Sequence, residues 1–133
     1  MKNNIYTFKN EKIGNYTFFL DENSFIPTHT TSMIVNASLK NINSNGKLLD
    51  LGCGCGIVGI IIGKCIKHDV QLYASDISDT VEEIVNRNAA EHKVNIKVKK
   101  SNIFEEWNNM KFDYIINDIS GVSSLVANLS PWF

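Results

Sequence analysis

Residues 47–59 constrain the fold more than any other segment, because glycine stands at every second position of a loop that follows a short apolar run. The segment reads Lys-Leu-Leu-Asp-Leu-Gly-Cys-Gly-Cys-Gly-Ile-Val-Gly, and an apolar stretch continues from it to Ile66. This order predicts a strand, a tight loop and a helix, since glycine tolerates positive φ and lets the backbone approach a nucleotide-like ligand. Asp50 stands directly before the loop, so it disfavours an anionic pyrophosphate and favours a cationic or hydroxyl-rich ligand.

Strand and helix patterns alternate along the chain. Apolar or β-branched runs predict strands at 47–51, 70–75, 96–99 and 112–117, and apolar residues at helical spacing predict helices at 31–40, 56–67, 78–92 and 122–129. Aromatic segments on either side of Gly14-Asn15 predict an N-terminal hairpin from residues 6–8 and 16–20. The alternation predicts an α/β fold, a Rossmann-like doubly wound parallel sheet with helices on both faces.

Composition limits the class of protein. A chain of 133 residues with a formal net charge of −1 fits one domain and is a poor match for a general polyanion binder. The N-terminus lacks the apolar core of a signal peptide, and the longest apolar run is too short to cross a bilayer, so we expect a cytoplasmic protein without a membrane partner. Three cysteines, an odd number, do not indicate a disulfide framework.

A dinucleotide is one possible guest of the loop. Gly54 to Gly59 satisfies the G-x-G-x-x-G spacing, which alone is a weak signal. The match begins two residues late, since Gly52 is the glycine that closes the strand, and Asp50 would lie near the pyrophosphate. An NAD-dependent oxidoreductase is therefore the weaker alternative.

A metal ion is the second possible guest, because Cys53, Cys55, Cys65 and His68 are acceptable zinc ligands. The last two lie at the far end of the predicted helix, more than ~10 Å from the loop at ~1.5 Å rise per residue. Zinc ligands must lie ~2.3 Å from one ion, so we predict no metal site and interpret the cysteines as small residues in tight positions.

S-adenosylmethionine is the third possible guest, and it carries a sulfonium, an ammonium group and a ribose but no phosphate. Asp50 can face the ammonium end, and the glycines let the backbone approach the sugar and the amino acid. Asp76, at the end of the next predicted strand, can accept hydrogen bonds from both ribose hydroxyls. Acids at strand ends favour this ligand over a dinucleotide.

At these residues the chain resembles the class I S-adenosylmethionine-dependent methyltransferases. Asp50–Gly56 is similar to their D-L-G-C-G-x-G first motif, and Ala74–Ser78 to their second, in which the acid holds the ribose. Ser101–Phe104 resembles the third, at the adenine, with Asn102 where Asp is commoner. The resemblance implies a methyltransferase with S-adenosyl-L-methionine as cofactor. It implies a set of cofactor-binding residues: Asp50, Gly52, Cys53, Gly54, Gly56, Asp76, Ile77, Asn102 and Ile103.

Two further segments resemble members that modify RNA or protein. Residues 25–31 are similar to the loop before their core, in which His29 is interpreted here as a surface residue. Residues 117–121 stand at the fourth motif, where members that methylate planar amines have Asn-Pro-Pro-Tyr or Asp-Pro-Pro-Tyr; Asn117 is retained, and the prolines and the aromatic ring are not. We predict Asn117 as the group that positions the acceptor and Asp118 as the proton acceptor for an in-line transfer. The acceptor is expected to be RNA or protein, with a small molecule as the alternative.

The resemblance also implies a sheet of seven strands, of which the sequence predicts four. We therefore expect residues 31–133 to form an S-adenosylmethionine-binding domain without the last strands, preceded by a hairpin and loop at residues 1–30. Strand 112–117 would then expose an apolar edge, so a second copy or a partner chain is expected to cover it. A non-catalytic half-domain that binds cofactor or a partner is the alternative function.

Overall fold

The computed structural model describes residues 4–22, 24, 27 and 29–118. Two strands, β1 (Asn4–Asn10) and β2 (Gly14–Leu20), form an antiparallel hairpin. The remaining elements are α1 (His29–Asn41), β3 (Gly46–Leu51), α2 (Ile57–Cys65), β4 (Val70–Asp76), α3 (Val81–His92), β5 (Ile96–Lys100), a 3-10 helix (Glu105–Trp107) and β6 (Tyr114–Ile116). The predicted helix at 122–129 lies outside the described residues.

The four strands outside the hairpin form a parallel sheet in the order β5-β4-β3-β6, which confirms the α/β prediction. Asp50 of β3 pairs with Ala74 of β4 on one side and with Ile116 of β6 on the other. Because parallel strands end at the same edge of a sheet, this register brings the residues after β4 and β6 to the glycine loop.

Alternate residues of the strands face two different clusters. Leu48 lies in the main core with buried residues of all three helices, among them Val35, Ile61 and Val85. The neighbouring Leu49 faces the opposite side of the sheet.

That opposite side holds a smaller aromatic cluster in which Leu49 and Tyr73 pack with Trp107 of the 3-10 helix. The sequence predicted helices on both faces; within the described residues the three α-helices share one face of the sheet, and the 3-10 helix and Phe112 pack on the other.

The hairpin packs on the main core. Phe8 and Phe18 are fully buried there, one from each strand. A two-stranded hairpin is only marginally stable by itself in water, so burial of these rings holds it in place. The predicted division of the chain at residue 30 stays a prediction.

Two helices are shorter than predicted, for local reasons. Residues before α3 form a turn in which the Ser78 N–H donates to Asp76 Oδ1 at 3.1 Å, so the helix begins at Val81 rather than Ser78. Helix α2 ends at Cys65 because Ile66 is already extended, with ψ 141°. Hydrophobic spacing does not reveal either feature.

Candidate functional site

The glycine loop between β3 and α2 adopts left-handed backbone angles. Gly54 has φ +56° and Gly56 has φ +92°. A Cβ at Gly56 would lie 3.1 Å from both Ile60 Cδ1 and Val85 Cγ1, whereas a Cβ at Gly54 would meet nothing within 4 Å. Gly56 thus lets α2 pack closely against α3, and Gly54 leaves the loop open to a ligand.

Asp76 fixes the loop against the end of β4. Its Oδ2 accepts a hydrogen bond from the Gly54 N–H at 2.9 Å, and its Oδ1 accepts the one from Ser78. The Cys53 N–H also donates to the Ser75 carbonyl at 2.9 Å. Each carboxylate oxygen has more than one lone pair, so Asp76 keeps acceptor capacity for hydroxyl groups.

Asp50 is buried beneath the loop, with 1% of its surface exposed. Its Oδ2 accepts a hydrogen bond from the Gly59 N–H at 3.0 Å. That N–H belongs to the first turn of α2, whose N-cap Gly56 has no side chain to satisfy it. Asp50 therefore caps the helix from within the sheet.

The pKa of Asp50 is raised from 3.8 to about 7, chiefly because burial disfavours the charged carboxylate. The negative charges of Asp118 and Asp76 raise it further, and the hydrogen bond from Gly59 opposes the shift. Asp76 at the end of β4 and Asp118 just after β6 thus both act on Asp50, near the end of β3, at one edge of the sheet.

The predicted catalytic pair lies beside the loop. Asn117 Oδ1 is 3.5 Å from the position that a Cβ would take on Gly52. Asp118 Oδ2 accepts a hydrogen bond from Thr31 Oγ1 at 2.8 Å, and Thr31 is buried in the first turn of α1. The structure brings these side chains to the loop, and their catalytic roles stay predictions.

Apolar side chains are exposed beside Asp76. Ile77 directly follows it and is 66% exposed, and Ile103 is 60% exposed with φ +52°, an uncommon angle for a β-branched residue. The Ser101 N–H donates to the Asp76 carbonyl at 2.9 Å, which places the 101–104 turn next to β4. Ser101 Oγ donates to the Ile103 carbonyl at 3.0 Å and so supports the strained turn. The arrangement offers an apolar surface near a carboxylate, with Asn102 in the same turn.

Other residues that the sequence suggested lie elsewhere or have other environments. His29 is the first residue of α1 and lines a separate cavity with Tyr6 and Met33. The cysteines are free, and burial raises the pKa of Cys55 to about 12 and that of Cys53 well above its usual value, so these thiols stay protonated. Within the described ranges, no group of three His, Cys, Asp or Glu side chains could hold a metal ion. No helix in that part of the chain has the length and apolar character to cross a membrane.

Sequence reasoning did not identify Thr31 and Asn88 as buried polar residues. Asn88 follows Val81, Ile84 and Val85 at helical spacing, so the periodicity already placed it on the apolar face of α3. A polar side chain on such a face is the signal that identifies it. Thr31 carried no comparable signal, since a threonine near a helix start is ordinary.

Comparison with known proteins gives consistent relatives. A model of the family described as methyltransferase small domain matches residues 28–118. A release factor glutamine methyltransferase of Flavobacterium psychrophilum is 30% identical over 118 residues, covering 81% of this chain and 40% of that protein. A ribosomal RNA small subunit methyltransferase C of Haemophilus influenzae is 28% identical over 120 residues, covering 89% of this chain and 36% of that protein. The chain thus spans well under half the length of these curated relatives.

A solved structure shows the same fold. The 16S rRNA N2 methyltransferase of T. thermophilus, in complex with AdoMet and guanosine, superposes with a TM-score of 0.72 at 13% identity. The superposition covers 90% of this chain and 34% of that one. The Rossmann-like architecture predicted from the alternation of strands and helices is thereby confirmed.

Proposed function

The chain belongs to the methyltransferase small domain family, and we propose that it binds S-adenosyl-L-methionine at the glycine loop and transfers the methyl group to an acceptor. One observation carries the proposal: Asp50 lies buried beneath the open loop, and the carboxylates of Asp76 and Asp118 lie near enough to act on its charge. A loop of bare backbone with carboxylates beside and beneath it suits a cation and disfavours a pyrophosphate. This also counts against the alternative of an NAD-dependent oxidoreductase.

The residues present fit this cofactor. Asp76 lies at a strand end with acceptor capacity beyond its bonds to Gly54 and Ser78, as a vicinal diol requires. Ile77 and Ile103 expose apolar surface beside it, as an adenine ring requires. Gly52, Cys53, Gly54 and Gly56 supply backbone, and Asn102 supplies a polar side chain in the turn near the proposed adenine position.

For methyl transfer the protein must position the acceptor and take up the proton that the acceptor loses. S-adenosylmethionine, when bound, supplies an electrophilic methyl group. Asn117, beside Gly52, would orient the acceptor with its amide oxygen. Asp118, oriented by Thr31, would take the proton that the acceptor loses. Exclusion of water and alignment supply most of the acceleration for such a displacement.

RNA or protein is the proposed acceptor class. The relatives named above act, by name, on a release factor and on ribosomal RNA, and another relative, from Francisella tularensis, on ribosomal protein uL3. Such acceptors favour a cytoplasmic site of action.

Calorimetry with S-adenosylhomocysteine tests cofactor binding. We expect Asp76→Asn to weaken binding roughly 10- to 100-fold, since hydrogen bonds to a charged group contribute about 1.5–3 kcal/mol. The matched control is Asp79→Asn, because Asp79 lies in the same segment but is exposed and paired with Lys100. Absence of binding by the wild-type chain would contradict the proposal, and equal losses in both variants would contradict the role of Asp76.

A non-catalytic half-domain is the second candidate function, favoured by residues 117–121, which keep Asn117 but lack the prolines and the aromatic ring of the fourth motif. Transfer of a labelled methyl group to ribosomal subunits or release factor distinguishes the two. An enzyme would lose transfer in Asn117→Ala and Asp118→Asn while keeping its affinity for S-adenosylhomocysteine. A half-domain would bind the cofactor and transfer nothing.

A further inference from the structure

Asn88 is a fully buried polar residue on α3, and all the polar atoms of its side chain have partners outside that helix. Its Nδ2 donates to the Phe19 carbonyl at 3.0 Å and to the Cys55 carbonyl at 2.9 Å. Its Oδ1 accepts a hydrogen bond from the Phe19 N–H at 2.8 Å. One side chain therefore joins the hairpin, a helix and the glycine loop.

The contact with Phe19 resembles pairing with a neighbouring strand. Asn88 takes both the N–H and the carbonyl of one residue, so the backbone of β2 at Phe19 is satisfied by α3 on the side away from β1. Such a bidentate contact fixes the distance and the orientation of the strand at once. The hairpin is thus held at its C-terminal end by a directional bond in addition to the buried rings.

The contact with Cys55 fixes the centre of the loop. Cys55 lies between Gly54 and Gly56, and its carbonyl belongs to the peptide that leads into α2. The N–H of the same peptide, on Gly56, donates to the Cys53 carbonyl at 2.9 Å. The charge of Asp21, just beyond β2, contributes to the raised pKa of Cys55, which is consistent with a hairpin end close to the loop.

We propose that Asn88 is a positioning residue that couples the N-terminal hairpin to the glycine loop. Docking of the hairpin holds the Cys55–Gly56 peptide in the conformation that receives the cofactor. Because such coupling is reciprocal, cofactor binding strengthens hairpin docking by the same factor by which docking strengthens cofactor binding. The geometry is independent of the ligand, and the inference rests on the proposed function only for the ligand's identity.

Amide hydrogen exchange without ligand tests the coupling. In Asn88→Ser, the Gly56 and Phe19 amides should exchange at least about fivefold faster relative to Leu49 of β3, because local opening loses hydrogen bonds of about 1 kcal/mol or more. Asn86→Ser, an exposed position on the same helix, is the control and should change none of them. An equal change at Gly56, Phe19 and Leu49 would show only a general loss of stability and would overturn the proposal.

A second measurement uses the wild-type chain, so it does not depend on the variant folding. Saturation with S-adenosylhomocysteine should shift the nuclear magnetic resonances of the Asn88 side-chain amide and the Phe19 backbone amide, and leave the Asn86 side-chain amide in place. Unmoved Asn88 and Phe19 resonances at saturation would overturn the coupling. Failure of the wild type to bind would instead contradict the proposed function, and the exchange experiment would still decide the role of Asn88.

Discussion

Asp50 is an acid in a buried site where the fold favours its neutral form. Its carboxyl group satisfies the Gly59 N–H in a site with almost no exposure to water, and two further carboxylates act on it. Because the pKa in the folded chain, about 7, lies above the usual 3.8, protonation stabilises the fold. That contribution is complete below about pH 4 and is lost as the pH rises through 7.

We therefore expect the free energy of unfolding to fall between pH 5 and pH 7 by up to about 1.4 kcal/mol per pH unit. Asp50→Asn keeps an oxygen for Gly59 and does not titrate, so its profile should be flatter over this range. Urea unfolding of both proteins at pH 5, 6, 7 and 8 measures the difference. Parallel profiles would show that Asp50 does not titrate in this range.

The same ionisation should distinguish two cofactor forms. S-adenosylmethionine carries a sulfonium charge that S-adenosylhomocysteine lacks, so ionised Asp50 should favour the former. On raising the pH from 6 to 8, the ratio of the two affinities should shift toward S-adenosylmethionine by roughly fivefold, given about 1 kcal/mol for a nearby charge pair in water. Calorimetry at both values measures the ratio, which should stay constant in Asp50→Asn.

At the scale of an element, two glycines of the loop before α2 have different roles. Gly54 leaves room for a ligand, and Gly56 allows α2 to pack closely against α3. Gly54→Ala should lower stability by about 1–2 kcal/mol, the usual penalty for a left-handed L-residue. It should weaken S-adenosylhomocysteine binding strongly, because its methyl group enters the open side of the loop.

Gly56→Ala is the complementary change. It carries the same backbone penalty, and its methyl group also presses on Ile60 and Val85. It should therefore lower the free energy of unfolding by about 1–3 kcal/mol more than Gly54→Ala does. Thermal unfolding and calorimetry on both variants measure the contrast. Equal stability losses would contradict the division of roles between the two glycines.

The sequence predicted best those elements in which apolar residues recur at regular spacing over many positions. Strands β3 and β4 and helix α3 follow from spacing alone, and the Asp50–Gly56 motif identified the loop. Helix ends did not follow, because they depend on tertiary bonds such as Asp76 to Ser78. The 3-10 helix at 105–107 is too short to carry a period. The hairpin was predicted, but its connection to the loop through Asn88 was not, since sequence does not show which backbone a buried amide will meet.

At the scale of the whole molecule, the face of the sheet that carries the aromatic cluster has an exposed apolar residue, Ile115, at its edge. Ile115 of β6 pairs with Leu49 of β3, so the two side chains point to the same face as the cluster of Tyr73 and Trp107. Leu49 is buried there, yet Ile115 is 51% exposed. Within the described residues, no strand pairs with the other edge of β6. The exposed apolar side chain of Ile115 at this edge favours association with another segment or chain.

We therefore expect this chain to self-associate through β6 and expect Ile115→Lys to shift it toward the monomer, because a lysine at a sheet edge opposes pairing. Ile5→Lys is the matched control, since Ile5 is similarly exposed at 59% but lies on the hairpin. Light scattering over a range of concentrations measures the mass of each protein. Affinity for S-adenosylhomocysteine should be unchanged in both variants, because neither residue lies in the loop. A wild-type monomer, or dissociation by both substitutions alike, would contradict an interface at β6.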